Sequence, residues 1–382
     1  MRLQWQIGFW AGAFFLLVLL LWLFSGVLLP FTAAMALGYL LNPVADRLER
    51  LGLSRLAATL LIMTGFVVVV ALILFLVMPA LWRQLVTFIQ ALPSYAIKLE
   101  DLATDLSARL AQDHGSTLLQ KLGLGNQVSA DLRNATSDLV NQAAQWGATF
   151  VKSIWSSGTA LIGLVSLLVL TPVVTFYMLL DWDKMIATVD SLVPLRHRQT
   201  VRELAREIDA AMAGFLRGQS LVCLFLGVWY GVGLSLIGLN FGLLIGLSAG
   251  FLSFIPYVGS LTALVLSAIV AIVQGWPEWR LLAMALAVVG AGQFLEGNVL
   301  SPKLVGGSVG LHPVWLIFAL LAFGSLFGFT GLIVAVPLAA AVGVILRFAV
   351  KRYRESRLYT EIDAAGSKFL IEASATTSEE RG

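Results

Sequence analysis

Glu296 stands in the stretch QFLEGNVLSPKLVGG, directly after a run from Leu281 to Leu295 that holds no Asp, Glu, Lys or Arg. A carboxylate at bilayer depth costs on the order of 2.5–3.5 kcal/mol, so it should face a cavity or a partner. Two readings follow. Glu296 is either a proton- or cation-coupling group, or an interfacial carboxylate with a structural role near the inner end of its helix. Gln293, Asn298 and Lys303 are its polar neighbours in sequence. Arg217 and Gln219, in GFLRGQS, hold the matching place before the uncharged run from Gly218 to Pro277. Arg217 can snorkel to lipid headgroups or touch a substrate. His312, in GLHPV, can titrate near neutrality or simply begin a helix before Pro313.

Enzymatic chemistry finds no foothold. There is no HExxH, no Gly-rich phosphate loop and no cysteine cluster. An intramembrane serine protease would need a serine and a histidine at depth, for which His312 is the sole candidate. The chain is therefore read as not an enzyme, with no cofactor and no metal site. Cys223, the single cysteine, excludes an intrachain disulfide and reads as a small buried apolar residue.

Backbone groups can also do chemistry. Within the run Gly218 to Pro277 lies SFIPYVGS, Ser253 to Ser260, and about sixty uncharged residues are too many for one crossing, which needs roughly twenty. Pro256 marks a fold point. If it opens a new helix, the amides of Tyr257, Val258 and Gly259 are free to face a ligand, with the helix dipole adding positive character. A shift of 72 positions aligns Ser253, Pro256, Tyr257 and Gly259 with Ser325, Gly328, Phe329 and Gly331, and Gly238-Leu239 with Gly310-Leu311. Thr330 lies at the second tip. Two such breaks predict two broken or re-entrant hairpins lining a polar site near the midplane, since unpaired backbone at that depth is tolerated only against protein or water.

The elements that must hold these residues are membrane helices. The chain has 382 residues, of which 59% are hydrophobic and 12% charged, so it cannot coat a soluble globule. A net charge of +3, with the basic residues beside apolar runs, fits orientation in a bilayer rather than nucleic-acid binding. Uncharged runs cover Leu3 to Ala45, Leu56 to Trp82, Ser153 to Leu180, Gly218 to Pro277, Leu281 to Leu295 and Leu304 to Leu346. The first is too long for a cleaved signal peptide. It divides at Pro30, giving one span from about Gly8 to Leu29 and a shorter one ending near Asn42-Pro43.

The expected fold is all-α: a polytopic membrane protein of about eight apolar segments containing an inverted repeat. Its parts are N-terminal membrane helices at 1–82, an extramembrane helical insertion at 83–152, and a membrane helix plus interfacial amphipathic helix at 153–217. A first transport repeat follows at 218–280, a second at 281–346, and a partly disordered cytoplasmic tail at 347–382. In the insertion, Leu99, Leu102, Leu106 and Leu110, and again Leu132, Leu139 and Ala143, recur at helical spacing. Val201, Leu204, Ile208, Ala211 and Phe215 share one face, read as lying on the membrane surface.

Lysine and arginine counts orient the chain. Arg347, Lys351, Arg352, Arg354 and Arg357 put the C-terminus inside, as Arg47, Arg50 and Arg55 do for the first loop and Lys184, Arg196, Arg198, Arg202 and Arg206 for the second polar segment. The insertion then falls outside. The helices before the two hairpins run in opposite directions, which makes the repeat inverted, an architecture of secondary transporters.

The stretches LLNPVADRLERLGLSR, TFYMLLDWDK, FIPYVGS, EGNVLSPKLVGGSVGLHP and GFTGLIVAVPLAA resemble the autoinducer-2 exporter family of bacterial membrane proteins over nearly the whole chain. Ser260 departs from the proline frequent there in the family. The resemblance implies export of a small polar signalling molecule from the bacterial cytoplasmic membrane, in the context of quorum sensing. For some members it implies sodium or lithium/proton antiport instead, and it implies a homo-oligomer. A passive pore or membrane scaffold is the reading from another class. The partners expected are thus a small polar solute, a proton or sodium ion, and the bilayer, with no nucleic acid.

Overall fold

In the computed structural model the described residues are 3–112, 142, 145, 158–305, 310 and 312–356. The helical spacing of Leu132, Leu139 and Ala143, and the tail from Arg357, lie outside them. All elements assigned among the described residues are helical: α1 (Leu3–Leu23), α2 (Ser25–Arg50), α3 (Arg55–Gln112), α4 (Gly158–Leu192), α5 (Arg198–Leu236), α6 (Gly242–Leu252), α7 (Val258–Gly275), α8 (Arg280–Leu295), a π-helical segment (Glu296–Val305) and α9 (Pro313–Arg354). Seven helices are long and apolar enough to cross a membrane, namely α2, α3, α4, α5, α7, α8 with its π-helical extension, and α9. At 11 residues α6 is too short. The chain is a multi-pass membrane protein.

The first division of the chain falls at Phe24, not at Pro30, which lies inside α2. Proline is tolerated within membrane helices where neighbours serve the disturbed backbone, and here the Thr171 hydroxyl of α4 donates to the Pro30 carbonyl at 3.4 Å. One turn on, the Thr175 hydroxyl lies 2.7 Å from the Thr171 carbonyl of its own helix and 3.3 Å from that of Ala34.

Two compact units are present, one of residues 1–181 with 217–304, the other of residues 182–216 with 305–382. In the first, Ala45, Ile62, Met63 and Leu179 form an apolar cluster joining α2, α3 and α4. Beside it Arg55 acts as a staple. Its Nε donates to the Leu179 carbonyl at 2.9 Å, Nη1 to Asp46 at 2.8 Å and Glu49 at 2.9 Å, and Nη2 to the Asn42 side chain at 2.6 Å. That network spends the polar residues of LLNPVADRLERLGLSR on joining three helix ends. Nearby, Arg217 Nε donates to the Tyr39 carbonyl at 3.1 Å, so the ends of α2 and α4 and the starts of α3 and of the uncharged part of α5 gather at one end of the unit.

The opposite end is built around α6. Gln84 Oε1 of α3 accepts the Leu244 amide at 2.9 Å, satisfying a donor that a helix N-terminus leaves open. Phe88 meets Phe241 edge-on, with ring centres 5.1 Å apart. Gln274, at the end of α7, accepts from the Asn240 amide and donates to the Gly238 carbonyl, both at 2.8 Å. Thus α6 leaves, and α7 returns to, the same end.

In the second unit Leu204, Ile208 and Ala211 pack on Ala340 and Val344 of α9. Of the amphipathic face expected there, Ala211 is buried, Leu204 and Ile208 are partly buried and Val201 is exposed, and its helix is the first half of the 39-residue α5. Asp190 closes the turn between α4 and α5, accepting from Arg198 Nε at 3.0 Å and from Arg202 Nε at 2.7 Å.

Candidate functional site

Within the first unit α5 and α6 approach so closely that only glycine fits between them. A Cβ on Gly246 would strike the Gly231 backbone, and one on Gly250 would strike that of Gly227. The spacing is GxxxG on α5 and, from Gly242, GxxxGxxxG on α6, the small-residue pattern by which membrane helices meet. It was the signal in the sequence for this contact.

The hairpin tip is the turn Ser253–Tyr257. Tyr257 occupies left-handed space at φ 69°, a conformation uncommon for a side chain of this size, and directly precedes α7. Gly259 faces the Ser253 side chain and the Ala249 carbonyl so closely that a Cβ would collide with both. Ser253, buried, donates its hydroxyl to the Ala249 carbonyl at 2.8 Å. Its own carbonyl accepts from Gln219 Nε2 at 2.6 Å, so the tip reaches the start of the uncharged part of α5. The Val258 amide is not free, because it bonds to the Ile255 carbonyl at 3.2 Å. Pro256 lies two residues before α7 rather than in its first turn, since the left-handed Tyr257 intervenes.

Helix α8 lies along the other flank of α5. The Trp229 indole donates to the Val288 carbonyl at 3.0 Å, and the Tyr230 ring packs where a Gly292 Cβ would stand. Glu296, one turn beyond Gly292, is the charged group whose field reaches Tyr230 and Cys223. It follows α8 directly, as the C-cap of that helix. Gln293 Nε2 donates to Glu296 Oε2 at 3.1 Å, and Asn298 Nδ2 to the Phe294 carbonyl at 3.0 Å. Backbone hydrogen bonding changes from α to π register at Glu296, a local irregularity that recurs at functional sites. Lys303 is exposed at the far end of this segment.

A second helix break lies in the second unit. Helix α9 kinks at Gly328, where φ is 60° and ψ −138°. Gly331 lies so close to the Phe323 carbonyl that a Cβ would overlap it, as Gly259 lies on Ala249. Ser325 donates to the Ala322 carbonyl at 2.9 Å, and Thr330 is buried. Gly238 and Gly310, 72 positions apart, both adopt positive φ, at 75° and 54°. His312 caps α9, its Nδ1 accepting the Val314 amide at 3.3 Å with Pro313 in the first helical position. It is a helix-start residue.

The structure thus brings Ser253 to Gln219 of α5 and Gly292, one turn before Glu296, to Tyr230 of α5, while Gly259 lies on Ser253 and Ala249 and Gln293 bonds Glu296. Arg217 is committed to Tyr39, and Asn298 to its own helix. Tyr230 is the residue the sequence reading missed: a fully buried tyrosine in an apolar run, flanked by the glycines of α5. Among the described residues no group of three or more His, Cys, Asp or Glu could hold a metal ion.

Comparison with known proteins closes the identification. The family model described as AI-2E family transporter matches residues 12–351. The chain is 31% identical over 330 residues to "Putative permease PerM" of Escherichia coli K12, covering 86% of this chain and 88% of the relative. It is 29% identical over 320 residues to "Putative transport protein YrrI" of Bacillus subtilis 168, covering 84% and 86%. Against "Putative transport protein sll0060" of Synechocystis it is 30% identical over 315 residues, covering 81% and 83%. A multi-pass helical chain whose family model spans from α1 to α9, with transport proteins and no enzymes among these relatives, belongs to the AI-2E transporter family.

Proposed function

We propose that the protein is a secondary transporter that exports a small polar signalling molecule, autoinducer-2-like in size and polarity, by alternating access. The observation that carries this reading is the pair of helix breaks 72 residues apart. Each has a glycine seated on the backbone of the preceding helix, and each lies downstream of a left-handed glycine, Gly238 or Gly310. Related local geometry at a fixed offset supports an internal repeat, inverted if the charge-based orientation holds, and the two breaks are its re-entrant tips. In this reading 218–280 and 281–346 form the transport repeats, 83–152 serves assembly or gating, the C-terminus is cytoplasmic, the membrane is the bacterial inner membrane, and the protein works as a homo-oligomer.

A second reading, sodium or lithium/proton antiport, is favoured by Glu296, which is hydrogen-bonded to Gln293 and stands one turn after the Gly292–Tyr230 contact. Either way a gradient should drive accumulation. Purified protein in sealed liposomes is loaded with a sodium or pH gradient, and uptake of labelled small polar solutes is followed. Accumulation above the equilibrium level supports a transporter. Equilibration without accumulation would replace it with a passive pore, and no flux at all with a scaffold.

A further inference from the structure

The hydroxyls of Thr59 and Tyr230 are the buried side-chain oxygens left without a hydrogen-bond partner among the described residues. Such a group costs about 1–3 kcal/mol when nothing satisfies it, so an orphan kept at the heart of a helix pair needs a reason. Tyr230 has three neighbours that supply one. It is fully buried in α5, and its hydroxyl end lies against Gly292 of α8, where a Cβ would stand 2.9 Å from the oxygen. Helical side chains lean toward the N-terminus of their own helix, so Glu296, four residues after Gly292, leans back over the turn that carries no side chain. The Gln293–Glu296 hydrogen bond follows the same lean, and it uses the Gln293 amide nitrogen, leaving that side chain's oxygen as a further acceptor. Tyr230 and Cys223 are the titratable groups of α5 within reach of Glu296; Lys303 is the basic group of its own segment.

We propose that the Tyr230 hydroxyl and the Glu296 carboxylate are two sides of one oxygen-lined site for a small monovalent cation, either sodium or a proton carried as hydronium. The carboxylate balances the charge and the phenol oxygen supplies a neutral ligand. This rests on the reading of Glu296 as a coupling group. It adds a second residue, the buried Tyr230, and the class of ion. Release of the ion returns Tyr230 to an unsatisfied state, which gives the empty site a penalty that the occupied site lacks.

The test uses the full chain in detergent, with sodium chloride or choline chloride as the probe salt. The thermal midpoint is followed against sodium at pH 8, and against pH in sodium-free choline. The wild type should show saturable stabilisation in the first series if the ion is sodium, and in the second if it is hydronium. Tyr230→Phe keeps the ring and removes the oxygen; it should fold, show a higher midpoint than wild type without the ion because the unsatisfied hydroxyl is gone, and need about tenfold more ion for half-saturation. That factor corresponds to about 1.4 kcal/mol. Glu296→Gln should abolish the response. A wild type indifferent to both ions would overturn the proposal, as would a Tyr230→Phe protein with half-saturation within twofold of wild type. Ion stabilisation lost in both variants but without accumulation in liposomes would keep the site and discard the transporter reading. Accumulation indifferent to sodium and pH, from a protein that neither ion stabilises, would discard the site and keep the transporter.

Discussion

Gln219 donates its side-chain amide to the Ser253 carbonyl at 2.6 Å, and both residues are buried. The bond fixes the tip of the α6–α7 hairpin to α5 one turn before Cys223. A carbonyl at the end of α6 has no partner within that helix, so a side chain from outside has to meet it.

Gln219→Leu keeps the bulk and removes the donor. It should destabilise the protein by about 1–3 kcal/mol, the usual cost of a buried acceptor left unpaired. Thermal or denaturant unfolding in detergent checks this; an unchanged midpoint would mean that water takes over the carbonyl and that the tip is wet.

Gly259 and Gly290 make a controlled pair. A Cβ at Gly259 would collide with Ser253 and Ala249, whereas one at Gly290 meets nothing within 4 Å. Gly259→Ala should therefore cost at least about 1–3 kcal/mol through forced backbone shifts. Gly290→Ala, in the interior of α8, should stabilise by up to about 1 kcal/mol. Equal melting curves for the two variants would dismiss the close approach at the tip.

Arg55→Lys preserves charge and removes the planar fork that serves four acceptors at once. Loss of the bond to the Leu179 carbonyl should loosen the junction of α2, α3 and α4 by about 1–3 kcal/mol. Limited proteolysis at the loop Leu51–Ser54 should accelerate in step. If charge alone sufficed, both measurements would match wild type.

Cysteines placed singly at Ser107, Ser191 and Ser356, in a Cys223→Ala background, should separate the two sides of the membrane. An impermeant thiol reagent should reach Ser107 from outside intact cells and the other two positions only after permeabilisation. External labelling at Ser191 would reverse the orientation and remove the inverted repeat with it.

Glu296→Gln should fold and still exchange solute across the liposome membrane while losing accumulation driven by the coupling gradient, because the amide keeps the shape and drops the charge. Wild-type accumulation under both sodium and pH gradients would reduce Glu296 to a packing residue.

The hairpin breaks were legible in the sequence because they rest on residues that act on their own backbone. Pro256 has no amide hydrogen, and Gly328 has no Cβ to oppose a positive φ. Pro30 misled for the complementary reason: its tolerance depends on partners elsewhere, one of them Thr171 on a helix 141 residues away. Arg55 was read as an orientation charge, and its role as a staple hinges on the Leu179 carbonyl, 124 residues distant. Arg217 likewise finds Tyr39 across 178 residues. The amphipathic face of Leu204, Ile208 and Ala211 was visible as periodicity, but periodicity does not say whether lipid or α9 covers it. Glu296 was visible as a misplaced charge. Tyr230 was not, since a tyrosine in an apolar run carries no charge to betray it.

Helix α3 is 58 residues long, which at 1.5 Å per residue comes to about 87 Å. Its uncharged part ends at Trp82, so the stretch to Gln112 continues for about 42 Å past the point where Gln84 holds the Leu244 amide. The grip on α6 is therefore close to a fulcrum, with a long helical arm beyond it that contains Pro93. A small angular displacement imposed on the far end of that arm, by a neighbouring molecule or by the segment that follows, would arrive at the N-terminus of α6 as a short movement with multiplied force. The hairpin that α6 begins can in this way feel events at the far end of α3.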